Sequence, residues 1–184
     1  ETSTGIMIPL PEIYRIKQKY PSIPIALDVV SSAPYAKINF EYIDIAFFSV
    51  QKGLGLPAGL GVLIVNKNLT QKIVGSYHSF KELFNKAVNY QTPETPNVLD
   101  IYLVAQVTKD ILKKGVQTIR QESEEKANML YDFFEKNIIG KPFIADKKYR
   151  SKTTIVIDVH SKSEKIVSAL KKKGMIVGKG YGEY

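Results

Sequence analysis

The stretch FFSVQKGLGLPAGLGVLIV, residues 47–65, constrains the fold of this chain more than any other. Two apolar runs, each long enough for a strand, stand close together, with glycine at 53, 55 and 59 between them and a fourth at 61 opening the second run. A third run, IPIALDVV (residues 23–30), precedes them. All three are rich in β-branched and aromatic residues and bounded by Gly, Pro, Ser or Asn, which predicts strands. They are apolar almost throughout rather than alternating, which predicts a sheet buried on both faces. Ahead of them, PLPEIYRIKQKY carries Leu10, Ile13 and Ile16 at helical spacing with charges between. A helix feeding a buried strand is the repeating unit of an α/β fold.

Farther along, a polar stretch around NYQTPETPN gives way to a helical pattern that begins near Val98 and breaks at Gly115. A second helix, TIRQESEEKANMLYDFFEKN, follows it. The remainder, KTTIVIDV, SEKIVSALKKK and GMIVG, predicts strand, helix and strand of a small α+β domain. The expected division is therefore residues 1–115 and residues 116–184. Both ends look cut, since the chain opens on ETSTGI and closes on GKGYGEY as a new segment begins. A partial chain of a longer polypeptide is the expectation.

No apolar run approaches the roughly 20 residues that a membrane-spanning helix needs, so no membrane is expected as a partner. The chain has no cysteine, which excludes disulfides and thiolate metal sites within it and suits a cytoplasmic protein. Its formal net charge is +8. The lysines are dispersed, and the densest cluster, LKKKG at residues 170–174, suits the solvated end of a helix rather than a nucleic-acid surface.

The chemistry concentrates around Lys52, where the first strand of the opening stretch gives way to glycines. If the strands at 23–30 and 44–50 are parallel neighbours, Asp28 and Lys52 both lie near carboxyl ends of strands, where open α/β sheets gather ligand groups. The glycines do not spell a phosphate loop, because G-x-x-x-x-G-K-[ST] is absent, and Gly53, Gly55 and Gly59 do not keep G-x-G-x-x-G spacing. A working lysine pairs with a carbonyl, as a Schiff base to substrate or to pyridoxal phosphate. The ring nitrogen of that cofactor needs a proton, which a carboxylate such as Asp28 would hold. Two readings stay open on these residues alone: this site, or an Asp28 that caps a turn beside an exposed Lys52. His78 and His160 show no ligand spacing, and surface or loop roles are expected for both.

ETSTGI, ALDVVSS and S-x-Q-K-G-x-G-x-P-A-G, in that order and spacing, resemble the class V aminotransferases within the fold-type I pyridoxal-phosphate enzymes, closest to the phosphoserine branch. The resemblance implies a mostly parallel large-domain sheet, of which residues 1–115 would be the C-terminal part. Residues 116–184 would be a linking helix and the start of the small C-terminal domain. It implies that Lys52 forms the Schiff base with pyridoxal phosphate and shuttles the substrate proton, and that Asp28 pairs with the ring nitrogen. Thr2 would hydrogen-bond the phenolic oxygen of the ring, and Gln51 would help hold the phosphate. Thr95, preferred to Thr92 by its spacing to Tyr102, would reach the phosphate in the neighbouring subunit, so a homodimer with a shared active site is implied. A threonine that merely starts a helix before a proline fits the same residues equally well.

Cysteine desulfurases of the same superfamily usually carry His where this chain has Gln51, and a nucleophilic cysteine near the segment matching GKGYGEY, where it has none. Transfer of an amino group between an amino acid and a 2-oxo acid is therefore the implied reaction. Phosphoserine with 2-oxoglutarate, in serine biosynthesis, is the substrate pair of the resembling branch. That branch often has a His-Arg pair where Tyr181 and Gly182 stand, which keeps an alanine or serine:glyoxylate or pyruvate enzyme as the alternative. A basic anion- or nucleic-acid-binding module with a degenerate cofactor site is the alternative from another class. It gives no physical reason to retain the acid, the Gln-Lys pair and the glycines together.

Overall fold

A computed structural model of the chain describes residues 3–71 and 79–180. Two compact units are formed, one from Pro9–Val116 and one from Glu1–Ile8 with Gln117–Tyr184.

In the Pro9–Val116 unit, helix α1 (Leu10–Lys19) leads into strands β1 (Ala26–Asp28), β2 (Ile45–Ser49) and β3 (Gly61–Val65). The sheet has the order β1-β2-β3. β1 pairs parallel with β2, Asp28 opposite Phe47, and β2 pairs antiparallel with β3, Phe47 opposite Leu63. Two of the three described strands thus run the same way, as expected of a mostly parallel sheet, and β3 runs against them. The reason is the connection: β2 and β3 are joined by a loop with no crossover helix, so the chain must return antiparallel.

Val29, Ile43, Ala46 and Val50 form the core of this unit. Burial on both sheet faces, expected from the apolar runs, is not what the strands show. Phe47, Leu63 and Ile64 are 38%, 44% and 43% exposed. Side-chain alternation puts Phe47 and Leu63 on one face and Ile64 on the other, so the apolar content of the strands exceeds the cover given to both faces.

α1 is tied to the sheet by charge. Lys17 Nζ donates to Asp44 Oδ2 at 2.7 Å and to the Ile23 carbonyl at 3.0 Å, and the Ile25 N–H donates to Asp44 Oδ2 at 2.8 Å. Burial pushes the Asp44 carboxyl up, but the bonds from Lys17 and Ile25 and the charge of Lys17 hold it below its ordinary value.

Helix α2 (Phe80–Val88) follows, capped by Ser79, whose Oγ accepts from the Glu82 N–H at 3.1 Å. Helix α3 (Val98–Lys114) begins where the helical pattern predicts, capped by Asn97, and ends at Gly115 with φ +91°. A C-terminal glycine at positive φ and lysines in the last turn are the expected stop.

In the other unit, helix α4 (Val116–Lys136) is followed by a two-residue antiparallel pairing of β4 (Lys141–Pro142) with β5 (Ile157–Asp158) and by helix α5 (Ser163–Lys172). Residues 5–7 run alongside residues 149–151: the Met7 N–H donates to the Tyr149 carbonyl and the Ser151 N–H to the Gly5 carbonyl. Buried Arg150 donates to Glu135 Oε1 and to the carbonyls of Ile144 and Ala145, with its guanidinium over the Tyr131 ring. Hydrogen bonds from Lys147 and Arg150 hold the Glu135 carboxyl below its ordinary value. The strand expected over GMIVG does not form. That segment is irregular, and Ile176 is 92% exposed, because a strand without a hydrogen-bonding neighbour has nothing to hold it extended.

Candidate active site

The loop after β2 closes on itself. The Val50 N–H donates to the Leu60 carbonyl, the Leu56 N–H to the Val50 carbonyl, and the Gly55 N–H to the Lys52 carbonyl at 3.0 Å. Val50 is fully buried and anchors the turn, while Gln51 and Lys52 stand exposed beyond it. Among the described residues the Lys52 amine makes no hydrogen bond or ion pair.

The turn after β1 is brought against this loop. Asp28 ends β1, and its Oδ1 accepts from the Val30 N–H at 2.9 Å, an Asx turn that bends the chain away from the strand. The Val29 N–H donates to the Phe47 carbonyl, and the N–H groups of Ser32 and Ala33 both donate to the Val29 carbonyl. Gly53 then meets the backbone at Ala33: a Cβ on Gly53 would lie 1.8 Å from the Ala33 oxygen. Only glycine allows the two turns to touch this closely.

Asp28 and Lys52 therefore do share one end of one sheet, at the carboxyl ends of adjacent parallel strands. The turn-capping role considered for Asp28 is also real, since Oδ1 makes that bond, but it occupies one oxygen of an exposed carboxylate. Beside Gly55, at φ +65°, a Cβ would meet nothing within 4 Å, so the lysine loop has open space next to it. An amine that can form an imine, with a carboxylate on the neighbouring strand end, is the donor set for a carbonyl-bearing cofactor with a basic ring nitrogen.

Thr95 is exposed and two residues ahead of the α3 cap, so neither it nor Pro96 belongs to the helix; the cap is Asn97. The Thr92 hydroxyl is committed to the Glu94 carbonyl at 2.6 Å. The Thr95 hydroxyl has no such bond among the described residues. Thr2 and His78 lie outside the described residues, as do Tyr181 and Gly182. His160 is at the surface, with its Nδ1 3.4 Å from Asp158 Oδ1.

Two residues with no assigned part in the sequence reading also meet the lysine loop. Asp100, 2% exposed, and Asn97 both lie against Gly59. The signal for Asn97 was present, an Asn three residues before an Asp at the start of an apolar run; the burial of Asp100 had none.

Residues 1–182 match the family described as Aminotransferase class-V, and the chain is a member of it. It is 30% identical over 169 residues to a probable phosphoserine aminotransferase of Caenorhabditis elegans, a match covering 87% of this chain and 45% of that protein. A phosphoserine aminotransferase structure from Cytophaga hutchinsonii superposes with a TM-score of 0.92 at 40% identity, over 100% of this chain and 53% of that one. An alanine–glyoxylate aminotransferase from Nostoc, 21% identical, shares the fold with a TM-score of 0.80 over 100% of this chain and 51% of that one. The chain thus spans about half the length of the relatives it matches.

Proposed function

We propose that the protein carrying this chain is a pyridoxal-phosphate-dependent aminotransferase, a cytoplasmic homodimer acting on phosphoserine and 2-oxoglutarate, and that Lys52 is its catalytic lysine. The observation that carries the reading is the placement of Lys52 and Asp28 at the carboxyl ends of adjacent parallel strands, the lysine amine unengaged among the described residues and the turns locked together at Gly53. The cofactor, when bound, supplies a ring that accepts the electrons of the broken α-C–H bond of an amino acid.

The residues of the chain do the rest. Lys52 Nζ would hold the cofactor through its aldehyde group and, once released from it, would move the proton at the substrate α-carbon. Asp28 would keep a proton on the ring nitrogen, a role open to the carboxylate oxygen that does not cap Val30. Gln51 and Thr95 offer hydrogen-bond donors for phosphate, Thr95 to the phosphate bound by the partner subunit, and Thr2 is assigned to the phenolic oxygen. Phosphoserine is favoured by the names of the relatives, and the alternative donor, alanine or serine with glyoxylate or pyruvate, by Tyr181 and Gly182 standing where a His-Arg pair would bind a substrate phosphate.

The test is made on the intact protein: incubation with pyridoxal phosphate, reduction with borohydride, digestion, and mass spectrometry of the peptide containing Lys52. A pyridoxyl group on Lys52, absent in Lys52→Ala, is expected. An unmodified Lys52 in folded protein with excess cofactor overturns the reading. Rates of amino transfer from phosphoserine to 2-oxoglutarate and from alanine to glyoxylate then choose between the substrate pairs.

A further inference from the structure

Helix α3 opens with an inversion. Its apolar residues Val98, Leu99, Ile101 and Tyr102 are 67%, 63%, 44% and 60% exposed, while the acidic residue among them, Asp100, is 2% exposed. A carboxylate is costly to bury unless it is paired and hydrogen-bonded. Asn97 Nδ2 donates to Asp100 Oδ2 at 2.8 Å, and the Asp100 N–H donates to Asn97 Oδ1 at 3.1 Å, so cap and carboxylate form one closed unit. That unit faces Gly59: a Cβ there would lie 3.3 Å from both Asn97 Nδ2 and Asp100 Oδ2. Gly59 has φ +143°, a conformation that other residues rarely adopt. Its neighbour Leu60 holds Val50, two residues before Lys52, through the Val50 N–H. On the other side, Asn97 follows Thr95 by two residues.

We propose that the Asn97–Asp100 pair is a positioning element that clamps loop 53–60 and sets Lys52 and the Thr95 turn in fixed relation. Neither residue touches a reacting atom; they act through Gly59. The proposal rests on the assignment of Lys52 above, but its structural half can be tested without cofactor.

The experiment uses the intact protein and the variants Asp100→Ala and Asp100→Asn, the latter keeping an oxygen that accepts from Asn97. Two quantities are read: hydrogen exchange of the 53–60 amides in cofactor-free protein, and the pH midpoint of the absorbance change of the Lys52–pyridoxal phosphate imine. In Asp100→Ala, exchange in the loop should rise about tenfold with strand β2 unaffected, and the midpoint should move by about half a unit or more as the lysine's surroundings change. Asp100→Asn should restore both. Wild-type exchange in Asp100→Ala overturns the clamp; faster exchange with an unmoved midpoint overturns its link to Lys52.

If Asp100→Ala does not fold, Gly59→Ala presses on the pair from the loop side. The same two changes are expected there, and wild-type values of both would overturn the proposal. Absence of any imine in the wild-type protein would remove the assignment of Lys52, while the exchange measurement would still decide whether the clamp exists.

Discussion

Gly53 and Gly55 stand two positions apart in the lysine loop and are required for different reasons, which substitution can separate. At Gly53 the obstacle is contact, since a Cβ would lie 1.8 Å from the Ala33 oxygen and 2.9 Å from its carbonyl carbon, both backbone atoms that cannot swing aside. At Gly55 the space is open and the obstacle is φ +65°. Gly53→Ala should therefore push the Asp28 and Lys52 turns apart, costing about 1–3 kcal/mol as overpacking does, and Lys52 labelling should fall with it. Gly55→Ala should cost about 1–2 kcal/mol of left-handed strain with labelling kept. Asparagine, which tolerates that region, should recover part of the loss at 55 and none at 53. Urea unfolding beside the labelling assay checks both, and equal behaviour of Ala and Asn at 55 would show that conformation is not the constraint there.

At the scale of elements, α1 is held by a pair whose side chains are both 13% exposed, Lys17 and Asp44. Because its partners lower the Asp44 pKa in the folded chain, the pair's stabilisation is complete above the ordinary value of 3.8 and is lost as pH falls through the lower folded value. Lys17→Met should cost about 1.5–3 kcal/mol near neutrality, the range for a hydrogen bond to a charged group. The gap from wild type should close on acidification below 3.8; a gap constant with pH would mean the lysine acts by packing alone. Elements of this kind differ in how far the sequence discloses them. α3 and α4 were legible because long helical periodicity and a glycine stop are local signals, and β2 and β3 because their apolar runs are bounded by loops. α2 has a weaker local signal: Ser79 and Glu82 spell a capping box at the head of a short run with Phe80, Leu83, Phe84 and Ala87. The composition of GMIVG suits a strand, but strand formation depends on a neighbour that composition does not reveal. At the site, the position of Lys52 and Asp28 near neighbouring strand ends is legible from the apolar runs, while the roles given to them come from the family resemblance. The contact of Gly53 with Ala33 and the burial of Asp100 arise from tertiary packing and leave no local trace.

For the whole chain, the distribution of apolar surface carries a consequence. Phe47 and Leu63 on one sheet face and Ile64 on the other are all exposed, as are Leu99, Tyr102 and Leu112 on α3 and Met129 and Phe133 on α4. Burying a side chain of this size is worth about 1.5–3 kcal/mol, and monomeric soluble proteins rarely leave extended apolar patches open. The 184-residue chain produced by itself should therefore bind a hydrophobic dye such as anilinonaphthalene sulfonate. In size-exclusion chromatography with light scattering it should elute as assemblies larger than its 20.7 kDa mass. The intact protein, if it covers these surfaces, should show neither property. Paired substitutions sharpen the test: Phe47→Ser with Leu63→Ser should reduce dye binding by the isolated chain and, by removing apolar contacts, destabilise the intact protein by several kcal/mol. An isolated chain that runs as a dye-silent 20.7 kDa monomer would show that these faces need no cover.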